Sequence, residues 1–164
     1  MKRLIIRILV LSTVLFISCG ESETKVLETV KNNKPVTEKL WQEFTIEALG
    51  NTMMDMKYSL KNISVNEGSW VRINLVNKGS DPAMIHNILF VNYNKRSEIA
   101  TAAIEAGPAL DYIPVSKEVI AGSKQAKPGE SVTLEFKAPA KGNYEFFCSY
   151  PGHSSKMRGY FFVK

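Results

Sequence analysis

The stretch Cys148–Gly159, Cys-Ser-Tyr-Pro-Gly-His-Ser-Ser-Lys-Met-Arg-Gly, constrains this chain more than any other. It presents a thiol, an imidazole and a thioether in that order. Four residues separate Cys148 from His153, and three separate His153 from Met157. Those three groups together suit a soft or borderline transition metal, above all copper moving between two oxidation states. Pro151-Gly152 is turn chemistry that folds Cys148 and His153 toward one point. A loop supplying three donors needs a fourth from elsewhere. The chain holds only one other histidine, His86, in a segment that reads as a strand.

Cys148-x4-His153-x3-Met157, with Tyr150-Pro151-Gly152 before the histidine and Gly159 after the methionine, resembles the copper loop of the azurins, blue copper proteins of the cupredoxin family. His86-Asn87 resembles the other half of that site. The resemblance runs from about Phe44 to Lys164. It implies an all-β fold, a cupredoxin Greek-key β-sandwich with a helix-containing flap insertion. It implies a mononuclear type 1 copper site, one ion per chain cycling between Cu(I) and Cu(II). The metal ligands would be His86, Cys148 and His153 in a trigonal set, with Met157 weakly axial. Asn87 would tie the two halves together behind the ligands. His153, exposed on the loop, would be the electron's way out. Implied partners are redox proteins that donate or accept an electron, such as c-type cytochromes or a reductase, and the soluble domain would be monomeric. Two positions depart from the family pattern. Ile85 stands where azurins have a glycine whose carbonyl lies near the metal. Lys156 stands where they have an apolar docking residue, and a lysine there favours an acidic partner surface and salt-dependent docking. Met84, Ile85, Tyr150 and Pro151 remain available as an apolar rim around His153.

The chain opens differently. Lys2, Arg3 and Arg7 precede an apolar run, Ile8–Ile17, that is shorter than the roughly 20 residues of a membrane span and has the shape of an export signal. Ser18-Cys19-Gly20 at its end resembles a bacterial lipoprotein cleavage site, which makes residues 1–18 a lipoprotein signal peptide and Cys19 the lipidated first residue. Residues 19–40 are rich in Glu, Ser, Thr, Lys and Asn and read as a flexible tether. Residues 41–164 are the cupredoxin domain. The expected address is the bacterial cell envelope, periplasmic or outer membrane, with a lipid anchor as the membrane contact. The formal charge of +5 falls to +2 once Lys2, Arg3 and Arg7 are removed. That balance gives no electrostatic case for nucleic acid. With one cysteine for lipid and one for the loop, no disulfide remains, unlike in azurins.

From Trp41 onward the pattern is short strands divided by turns. Expected strands are 43–49, 57–65, 69–77, 85–92, 131–137 and 159–164. Val71, Ile73 and Leu75 share one face, as do Tyr144, Phe146 and Cys148. Ile99, Ala102, Ala103 and Ala106 give a helical patch that ends at Gly107-Pro108, and the rest of 94–129 reads as loop. Met53, Met54 and Met56 have no assigned role. Copper storage, delivery or sensing on the same fold is the alternative to electron transfer. A Cys-His nucleophile is disfavoured because the loop lacks a nucleophile elbow, so the chain is read as no enzyme.

Overall fold

The computed structural model describes residues 39–164. The expected signal peptide, Cys19 and nearly all of the expected tether lie outside them. In chain order the strands are β1 (Trp41–Leu49), β2 (Lys57–Tyr58), β3 (Asn62–Val65), β4 (Trp70–Asn77) and β5 (Leu89–Asn92). Then come helix α1 (Arg96–Ala106), a short 3-10 turn (Pro108–Leu110), β6 (Val119–Gly122), β7 (Ser131–Lys137), β8 (Gly142–Phe147) and β9 (Arg158–Val163). One sheet has the order β2-β1-β4-β7 and the other β3-β9-β8-β5-β6. Strands β1 and β4 are parallel, as are β3 and β9; the other pairs are antiparallel.

Alternation decides which faces meet. Val71, Ile73 and Leu75 of β4 are fully buried, beside Ile46 and Ala48 of β1. From the second sheet Phe90, Phe146 and Phe161 enter the same core. Phe90 packs 4.8 Å from Phe136 across the sandwich and 5.0 Å, edge-on, from Phe161. Burying each such ring contributes roughly 2–3 kcal/mol. No disulfide is needed to hold the two sheets.

The second sheet is also covered on its outer side. Leu89, Val91 and Phe147 pack against Ile99 of α1. This explains why β8 buries successive residues, Glu145, Phe146 and Phe147: the helical flap shields the face that alternation alone would expose.

Three expected elements differ. The single strand over 57–65 is two short strands, β2 in the first sheet and β3 in the second. The chain crosses between sheets there while Tyr58, Ile63 and Val65 all stay inward. The strand expected over 85–92 begins only at Leu89. Before it, His86 makes an isolated bridge with Ala126, donating its N–H to the Ala126 carbonyl at 3.1 Å and accepting the Ala126 N–H at 2.7 Å. Finally, the stretch read as loop contains β6, an edge strand that pairs with β5 through a register shift at Phe90/Val91.

Candidate metal centre

Two short stretches build the site at one end of the sandwich. The first follows β8. The Cys148 N–H donates to the Met157 carbonyl at 2.9 Å, so the loop is closed at its base. Inside it, the N–H groups of both Lys156 and Met157 reach the His153 carbonyl, at 3.1 and 2.9 Å, and the His153 N–H reaches Tyr150. Gly152 takes a φ of 84°, a left-handed conformation that glycine adopts without strain. A Cβ there would also sit 2.9 Å from the Met53 methyl. The second stretch is 84–88. Asn77 Nδ2 donates to the carbonyls of Met84 and Ala126 at 2.7 and 2.9 Å, which fixes the backbone around His86.

The result is a convergence of donors. His86 Nδ1 and His153 Nδ1 are 3.2 Å apart, and the Cys148 sulfur lies 3.9 and 3.7 Å from them. All three residues are buried, as is Met157. Burial pushes both imidazoles down to about 4, with the neighbouring His153 adding to the effect on His86. Both are therefore neutral at pH 7, with lone pairs to offer. Burial pushes the Cys148 thiol up to about 11, against the opposing pull of the Asn87 and Tyr150 amides, so a cation must displace its proton. A point equidistant from the three atoms lies about 2.1 Å from each, near the roughly 2.0–2.3 Å of nitrogen and thiolate bonds to such ions. Two imidazole nitrogens and one thiol sulfur thus converge, buried, on one point. The residues present fit a copper ion.

The chain matches the family model of copper-binding proteins of the plastocyanin/azurin type over residues 45–164. It belongs to the plastocyanin/azurin family. It is 34% identical over 118 residues to auracyanin-A of Chloroflexus aurantiacus, covering 70% of this chain and 71% of that one. It is 36% identical over 111 residues to the azurin of Pseudomonas chlororaphis, covering 63% and 87%. The solved structure of auracyanin A, described as a "blue" copper protein, superposes with a TM-score of 0.68 at 30% identity over 76% of this chain and 99% of that one. The cofactor of this cupredoxin is copper, and His86, Cys148, His153 and Met157 are arranged as a type 1 site.

The surroundings hold more than the sequence reading found. Asn87 does link the two halves: its Oδ1 accepts the Ser149 N–H at 2.9 Å and its Nδ2 donates to Ser149 Oγ at 2.8 Å. Asn87 Nδ2 also reaches the Asp111 carbonyl, and Ser149 Oγ donates to the Tyr112 carbonyl, both at 2.7 Å. Asp111 and Tyr112 have positive φ, 51° and 55°, an uncommon backbone state for such residues. The flap thus buttresses the site, and no local sequence pattern announced it. Tyr58 of β2 also joins this network. Its hydroxyl donates to the Asn87 carbonyl, and its own pKa is raised by burial and by the adjacent Cys148. Of the three methionines, Met56 is core while Met53 and Met54 are exposed. One expectation is overturned: His153 is not exposed but 1% accessible. The Tyr150 ring lies 4.9 Å from its ring. Met84 is buried too, leaving Ile85, Tyr150 and Pro151 as a partly exposed rim.

Proposed function

We propose that this protein is a one-electron carrier whose single copper ion is held by His86, Cys148 and His153, with Met157 as the weak axial partner, and that a lipid on Cys19 tethers it to the bacterial cell envelope. The observation that carries the reading is the buried triangle of two imidazole nitrogens and one thiol sulfur. Bound copper would supply a one-electron couple. Cys148 gives up its proton on loading and offers a thiolate, while the two imidazoles stay neutral. The hydrogen bonds of Asn77, Asn87 and Ser149 hold the donor atoms in place whether or not the electron is present, so little has to rearrange when it moves. Redox proteins such as c-type cytochromes or a reductase are the proposed donors and acceptors, with the domain acting as a monomer.

The test is the visible spectrum after adding Cu(II). An intense blue thiolate-to-copper band is expected, bleached by mild reductant and absent in Cys148→Ser. Colourless copper binding with rapid exchange of Cu(I) would instead favour storage, delivery or sensing. For the tether, Cys19→Ser should move the protein out of the membrane fraction; an unchanged distribution would remove the lipid anchor from the proposal.

A further inference from the structure

The buried position of His153 raises the question of where a partner docks. Beside the copper loop lies an open cleft of about 450 Å³ lined by Lys61, Asn62, Ser155, Lys156, Arg158 and Tyr160. Three of these are cations, and all six are exposed. The ion pairs among the described residues use Arg72, Lys78, Lys95 and Arg96, so none neutralises Lys61, Lys156 or Arg158. The cleft is bonded closely to the site. The Lys156 N–H donates to the His153 carbonyl, and Arg158 follows Met157, whose carbonyl accepts the Cys148 N–H. The Tyr160 N–H donates to the Lys61 carbonyl at 2.8 Å, which fixes the cleft's two walls together. Like charges gathered on one face without counter-charges are electrostatically costly, and an acidic surface laid against them would relieve that cost.

We infer that this basic cleft is the docking surface for an acidic redox protein, which exchanges its electron through the Cys148–Met157 loop. The inference rests on the electron-carrier reading above. One electron leaves a reduced haem in the partner and reduces the copper site, or the reverse, and no bond is made or broken.

The experiment uses cytochrome c in two charge forms, the native basic protein and its succinylated, acidic derivative, with stopped-flow absorbance following the haem. The copper-loaded protein should exchange electrons faster with the acidic form at about 10 mM salt, and the advantage should shrink by about 300 mM as charges are screened. Replacing Lys61, Lys156 and Arg158 by Ser should slow the acidic partner roughly tenfold at low salt. Replacing Lys137, Lys141 and Lys164, at the other end of the strands, makes the same change of net charge and should slow it much less. Equal losses in the two triple variants would overturn the inference, as would a faster reaction with the basic form or no dependence on salt. If the cleft variant instead lost adhesion to phosphatidylglycerol vesicles at unchanged rate, the cleft would be a lipid contact and the inference would fail. Because the salt series on the unsubstituted protein is independent of the variants, a misfolded variant does not rescue the idea. Absence of a blue band would sink the electron-carrier reading itself before any rate was measured.

Discussion

At the residue scale, the site depends on buried groups whose protonation is set by their surroundings. His86 and His153 are pushed down to about 4 from an ordinary 6.5. In the unfolded chain both would take up protons nearer 6.5, so between the two values the unfolded state binds more protons and stability rises with pH. The metal-free protein should therefore lose stability as pH falls below about 6.5, with the loss complete near 4. Urea midpoints of apoprotein at several pH values test this, and His86→Gln should flatten part of the slope. A slope unaffected by that change would contradict the assignment. Tyr58→Phe offers a second test. It removes the donor to the Asn87 carbonyl while keeping the ring against Phe146, 5.8 Å away. Leaving that acceptor short of a partner should cost about 1–2 kcal/mol, read as a lower urea midpoint. A neutral result would mean the phenol is packing only.

At the element scale, the copper loop and the flap are held by a few contacts that could be broken one at a time. Gly159 is the second residue of β9, just after the loop. A Cβ there would lie 2.3 Å from the Phe146 ring and 2.5 Å from the Lys61 carbonyl. Backbone cannot yield as a flexible side chain can, so Gly159→Ala should destabilise by roughly 1–3 kcal/mol and disturb the register beside Met157. A variant as stable as the parent would show that Phe146 can move aside. The flap has its own link. Arg96 at the start of α1 donates to the Ser154 carbonyl at 3.1 Å and lies 3.9 Å from the buried Glu145 carboxylate. Arg96→Ala would strand that carboxylate in a low-dielectric setting and should cost about 2 kcal/mol. Restoring stability with a second change, Glu145→Gln, would confirm that the lost partner is the reason.

At the scale of the whole molecule, metal and fold support each other. Three ligands share one short loop, but His86 joins them only through the tertiary fold, so copper binds the folded chain more tightly than the unfolded one. A ligand at about 1,000 times its dissociation constant adds about 4 kcal/mol. Copper-loaded protein should unfold at markedly higher urea than apoprotein, and the difference should largely vanish in Cys148→Ser. An equal midpoint with and without copper would argue that the donors do not hold the ion in the native state.

The sequence by itself determined the chemistry and most of the scaffold. Cys148, His153 and Met157 lie in one short loop, where spacing and the Pro151-Gly152 turn suffice to bring them together. The strands 70–77 and 131–137 were legible because residues alternate between a buried and a solvated face. What the sequence did not show depends on contacts between distant segments. The split of 57–65 into two strands turns on which sheet each half joins, and the inward faces are the same either way. The edge strand 119–122 is half-buried along its length, so it lacks the alternation that marks a strand. The carbonyls of Asp111 and Tyr112 become partners of Asn87 and Ser149 only when the flap folds over the site. His153 reads as exposed in a polar loop, yet in the folded chain it is 1% accessible, with the Tyr150 ring 4.9 Å from its own. Local spacing can fix which atoms are available to a metal; only packing decides what covers them.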